Sequence, residues 1–145
     1  MTQRVDPVLF GYLPRRPGAE GKDLGTELLG RFTETLITLL PRLRALAAAG
    51  DAATLALDSH SLRGSASLLG AIAMADLAKT LETHARGCEL ERAPELIDAL
   101  AAEWTVTFPE HQAACVAAAT AAAAAAAAAA MRTRRFTPAS SRPAD

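Results

Sequence analysis

The stretch LDSHSLRGSASLLGA, residues 57–71, sets an arginine three positions and a glycine four positions after a histidine. In a helix these three side chains share about one turn of one face. An unperturbed imidazole, with a pKa near ~6.5, keeps a neutral, nucleophilic fraction at neutral pH. A guanidinium presents its donors as a fixed fork that suits phosphoryl oxygens. Glycine inside a helix costs about 0.8–1 kcal/mol relative to alanine. What it offers in return is a missing side chain beside the imidazole, where the surface of another protein can come close. His60, Arg63 and Gly64 therefore describe a site able to accept and hand on a phosphoryl group, with a partner supplying the rest of the chemistry. Spacing alone clearly places no second catalytic side chain and no activating carboxylate beside His60. The same spacing also fits a surface histidine next to an unrelated glycine, and the residues by themselves leave both open.

Position is set by the helices. A first long helix is expected from about Asp23 or Thr26 to Ala49, with Leu29, Phe32, Leu36, Leu39, Leu43 and Leu46 at steps of three and four. Pro41 should kink it, and Gly50 and Asp51 read as the stop and the next N-cap. The second helix, about Ala52 to Leu69, carries Leu55, Ser59, Leu62, Ala66 and Leu69 on one stripe and closes at Gly70. His60, Gly64 and Ser67 fall roughly opposite that stripe, with Arg63 on their flank. The third helix is expected from about Met74 to Arg86, with Leu77, Ala78, Leu81 and Ala85 inward and Gly87 as its stop. A fourth begins near Ala93 with Leu96, Ile97, Leu100, Trp104 and Phe108, and Pro109 should interrupt it. Short connections favour antiparallel neighbours, hence an all-α, up-down four-helix bundle.

Composition narrows the function classes. The 145 residues suffice for one domain with a real core. A net charge of −1 and a pI of about 6.3 give no basic footprint for nucleic acid. About a quarter of the chain is alanine and only 4% is aromatic, which favours helix over strand. Cys88 and Cys115 read as reduced thiols. Residues 1–22, with Pro7, Pro14 and Pro17, read as a flexible leader without an apolar targeting core, so the expected location is the cytoplasm. The bundle is expected over residues 23–112. Residues 113–131 are uncharged and nearly long enough to span a bilayer, but alanine buries too little apolar area to drive insertion. They read as a helical extension, and residues 132–145 as a disordered tail. His84 is expected at the surface or boundary, His111 as a structural residue near Pro109, and Trp104 in the core. Arg132, Arg134 and Arg135 suit a helix C-terminus.

The segment HSLRGSASLLG, residues 60–70, resembles the signature of histidine phosphotransfer (HPt) domains, His-x-Leu-Lys-Gly-Ser-x-x-x-x-Gly. ELLGRFTETLITLLPRLRALAAAGD resembles the preceding helix of that family, and MADLAKTLETHARG the following one, with its Leu81–Glu82 pair. The resemblance covers about Asp23 to Phe108. It implies a four-helix bundle that is a phosphocarrier and not a kinase, with His60 as phosphoacceptor and Arg63 in the place of the usual lysine near the phosphoryl group. Gly64 would give clearance for a receiver domain, and Ser67, Leu57 and Leu68 would belong to the docking surface. The implied partners are response-regulator receivers and a hybrid sensor histidine kinase. No cofactor is implied for the chain itself, and Mg²⁺ would sit in the receiver. Nucleic-acid and membrane partners are not expected, and the chain is expected to be a monomer. Arg63 departs from lysine, and Asp58 and Ser59 depart from the small apolar residues common before the histidine. Asp58 would either raise the basicity of the histidine or repel an acidic receiver. The alternative is a helical adaptor that binds a signalling partner through the same surface without being phosphorylated.

Overall fold

The computed structural model describes residues 24–135, and among these every long element is a helix. They are α1 (Leu24–Ala49), α2 (Ala52–Leu68), α3 (Ile72–Arg86) and α4 (Ala93–Arg135), with a 3-10 turn at Leu90–Arg92 before α4. Each helix packs on the next, and α4 closes the ring against α1. The pairings fix the directions. Arg42 of α1 meets Asp58 of α2, while Leu28 and Phe32 line a cleft with Ser65, Leu68 and Leu69, so the two helices run antiparallel. Leu29 clusters with Cys115, Phe32 packs against Trp104, and Arg44 pairs with Asp98, so α1 and α4 are also antiparallel.

The expected leucine stripes form the core. Leu36, Leu43, Leu55, Leu62, Leu81 and Leu100 are all almost wholly buried, with Met74 and Ile97 among them. Each such side chain contributes on the order of 1.5–3 kcal/mol relative to exposure. Phe32, Trp104 and Phe108 extend the core along the α1–α4 seam, with ring centroids 5.0 and 5.4 Å apart. His111 is fully buried and structural, as expected. Its Nε2 lies 2.7 Å from the Leu69 carbonyl and ties α4 to the end of α2.

The turns that hold α2 are sharply defined. Gly50 (φ 74°) and Gly70 (φ 68°) both sit in the left-handed region, where glycine carries no Cβ penalty. In each, the residue after the glycine bonds back to the preceding helix: Asp51 N–H to Leu46 O at 3.0 Å, and Ala71 N–H to Ala66 O at 2.9 Å. Asp51 then caps α2 by accepting from the Thr54 N–H at 3.1 Å.

Several boundaries differ from expectation. α3 starts at Ile72, two residues before Met74. It ends at Arg86 with Gly87 as its cap, as expected, but Gly87 keeps a right-handed φ of −80° and the left-handed residue is the next one, Cys88 (φ 59°). Leu77 is half-buried, not fully inward. Pro109 does not interrupt α4, which is continuous from Ala93 to Arg135. A proline forfeits one backbone bond. On its two sides the buried Thr107, His111 and Cys115 share one packed face that holds the helix together, with Pro109 itself exposed. The helix also runs through residues 132–135, where an irregular tail was expected, because the alanine run propagates helix past the bundle. The leader at residues 1–22 and the rest of the tail, residues 136–145, lie outside the described residues. No helix among the described residues is long and apolar enough to cross a membrane.

A non-glycine residue at positive φ is strained on the order of 1 kcal/mol. Cys88→Gly is expected to stabilise the fold by about 0.5–1 kcal/mol. A urea titration that returns an unchanged midpoint would remove this account of the α3 terminus.

Candidate functional site

α2 presents one face to solvent because its other face is filled by Leu55, Ser59, Leu62 and Ala66. Ser59 turns its hydroxyl onto the Leu55 carbonyl at 2.7 Å, so this buried polar group is satisfied within the helix. The next residue, His60, projects outward with a side chain 56% exposed. Its Nδ1 lies 3.1 Å from Glu82 Oε1 on α3. Nε2, on the opposite edge of the ring, has no partner among the described residues. A carboxylate only accepts, so this contact selects the tautomer with hydrogen on Nδ1. The Nε2 lone pair is thereby left free and open to solvent.

Glu82 is the residue that spacing missed. Its side chain is only 6% exposed, yet it carries three contacts. Besides His60 it accepts from Arg63 of α2 at 3.0 Å and from Arg86 of α3 at 2.7 Å. Burial alone would raise the carboxyl pKa. The His60 hydrogen bond and the charges of Arg63 and Arg86 outweigh that and hold it below the ordinary glutamate value. Two guanidinia against one carboxylate leave a net positive charge beneath the imidazole. One signal was present in the sequence: Glu82 sits among Ala78, Leu81 and Ala85 on the inward side of α3, where an acid needs a reason. Its partner in α2 could not be assigned without the register of the α2–α3 hairpin.

Of the other expected site residues, Gly64 and Ser67 fall where the helical wheel puts them. Gly64 and Ser67 are exposed, and Leu57 and Leu68 stand out at 66% and 60% exposure. A Cβ built on Gly64 would meet nothing within 4 Å, and its backbone is ordinary right-handed helix. Nothing inside the chain requires glycine at this position. Asp58, expected to act on the histidine, faces the other way and is bound to Arg42 of α1 at 2.6 Å. His84 is half-buried, its Nδ1 3.1 Å from Glu89. Among the described residues no three or more histidine, cysteine, aspartate or glutamate side chains converge as metal ligands.

Comparison with known proteins accounts for this arrangement. The family model for the Hpt domain matches residues 27–107. The chain belongs to the Hpt family. A solved structure of an Hpt protein, histidine-containing phosphotransfer protein B (HptB) from Pseudomonas aeruginosa PAO1, is similar at 30% identity. The match covers 79% of this chain and 96% of that one, with a TM-score of 0.67. A search of curated proteins found no match. As an Hpt domain the chain has a phosphotransfer role in signalling, and its α-helical bundle is the scaffold that role uses.

The depressed Glu82 pKa gives stability a pH dependence of known sign. The unfolded carboxyl takes up its proton near pH ~4.5, before the folded one. The stabilisation from Glu82 is therefore full above that pH and is lost as pH falls through the lower, folded value. Wild type is expected to lose urea resistance below pH ~4.5 more steeply than Glu82→Gln. Parallel curves for the two proteins would mean that Glu82 is not held as its contacts indicate.

Proposed function

We propose that this chain is a phosphorelay intermediate that takes a phosphoryl group onto His60 from the phosphoaspartate of a receiver domain and passes it to another response regulator. The observation that carries this is the orientation of the imidazole. Nδ1 is fastened to a buried carboxylate, and Nε2 is exposed beside a helix surface kept clear at Gly64.

In the forward step the Nε2 lone pair attacks phosphorus in line with the aspartyl oxygen. The P–N bond forms, the P–O bond to aspartate breaks, and the carboxylate leaves on the receiver. The ring keeps its Nδ1 proton and becomes a phosphoimidazolium, whose positive charge faces Glu82. Transfer onward reverses these steps with a second receiver aspartate. Positioning and charge neutralisation supply the rate, as in phosphoryl transfer generally. Mg²⁺ would be held by the acidic pocket of the receiver and not by this chain. Arg63 supplies positive charge beside the incoming phosphoryl oxygens. Leu57 and Leu68 flank Gly64 on the same face and offer apolar area for docking. Hybrid sensor kinases, which carry receivers, and separate response regulators are the partners this surface suits. The adaptor alternative uses the same face but gives no reason for fixing the tautomer of His60.

Incubation with phosphorylated receiver domains is expected to give an acid-labile, alkali-stable label on wild type and none on His60→Gln. No label from any receiver on well-folded wild type would favour the adaptor. Gly64→Gln is expected to leave α2 folded, or slightly more stable, and to slow transfer at least tenfold, on the order of 1.4 kcal/mol in the barrier. Equal transfer rates in Gly64→Gln and wild type would sink the clearance account.

A further inference from the structure

Arg63 has two tasks that compete. In the resting site its guanidinium bonds Glu82 Oε2 at 3.0 Å and helps to compensate a carboxylate that is almost out of water. A phosphoryl group on Nε2 would bring three oxygens with up to two negative charges about one helical turn from the same side chain. A guanidinium that moves to them leaves the carboxylate behind. A buried charge that loses its partner is strongly disfavoured. Arg63 is therefore free to move only if something else holds Glu82.

Arg86 is placed to do this. Its contact with Glu82 Oε1 is the shortest of the three, at 2.7 Å, and comes from the same helix four residues on. Glutamate N-terminal to the cation at this spacing is the favoured orientation. The pair lies within α3 and does not depend on where the α2 side chains go. Oε1 also accepts the Nδ1–H of His60, whereas Arg63 bonds Oε2, so Arg63 can leave without touching the oxygen that holds the imidazole.

We propose that Arg86 is a positioning residue for phosphotransfer: it holds the charge of Glu82 so that Arg63 can move to the phosphoryl group on His60. This rests on the phosphocarrier function proposed above. Arg86 touches neither the ring nor the phosphoryl group, and it acts through Glu82 and Arg63.

The test is a double-mutant cycle on the full chain, using a phosphorylated receiver domain that labels wild type. Arg86→Ala is expected to lower the maximal transfer rate about tenfold with KM for the receiver within about twofold, and Arg86→Lys to recover most of the rate. In an Arg63→Ala background, removal of Arg86 should change the rate less than twofold, because there is no guanidinium left to release. Thermal melts of each variant report folding, and if Arg86→Ala melts below the assay temperature, Arg86→Gln takes its place in the cycle. Wild-type rates in Arg86→Ala, or the same tenfold loss with and without Arg63, would overturn the proposal. A raised KM with an unchanged maximal rate would do so as well, making Arg86 a docking contact. If no receiver labels wild type, the phosphocarrier function itself fails and this inference falls with it. Label on wild type with no effect of Arg86 removes only the inference.

Discussion

A carboxylate taken out of water has to be compensated where it sits, and Glu82 imposes that condition on the whole α2–α3 hairpin. Its oxygens are reached from both helices, so the register between them must be right to within one residue. That register is set by the left-handed Gly70 and by the bond from Ala71 back to Ala66, which make the chain reverse in three residues. His111 adds a second constraint from α4, with its ring against the Leu69 carbonyl at the same corner. The hydrophobic core supplies most of the folding energy, but it tolerates small shifts. The acid does not, and the orientation of the exposed imidazole is a by-product of satisfying it.

This explains how the His60 side chain can be exposed and still be aimed. An exposed histidine normally samples several rotamers, and ordering it at the moment of docking costs free energy. Here one ring nitrogen is held from below while the other edge stays in solvent. Two absences mark the site: no bulk at Gly64, and no partner on Nε2 among the described residues. The orientation of the ring is fixed from the buried side, which leaves its exposed side free to be covered by another protein.

The helices and their inward faces were legible in the sequence because leucine recurs with helical period in α1, α2 and the first half of α4. The outward position of His60 and Gly64 followed from the same wheel. Glu82 was not legible as a partner, since a spacing of 22 residues across a turn acquires meaning only when the register is known. Asp58 is close to His60 in sequence, but its side chain faces away from it. Two positions along a helix turn a side chain about 200° away, and Arg42 was waiting there. Gly87 caps α3 as its residue type suggests, but the left-handed position falls one residue later, at Cys88. Pro109 is a helix breaker by residue type, yet packing on the opposite face of α4 outweighs one lost hydrogen bond.

The length of α4 has a mechanical consequence. At 1.5 Å per residue, 43 residues make a rod of about 65 Å, much longer than a bundle built from helices of 15 to 26 residues. From Val116 to Arg134, every side chain whose exposure is described lies in solvent, and alanine's own backbone preference favours helix over that half of the rod. A molecule of 15.1 kDa with such an arm tumbles anisotropically, slower end-over-end than about the rod axis. The described far end of the arm is held away from His60 at a distance set by a ruler and not by a tether.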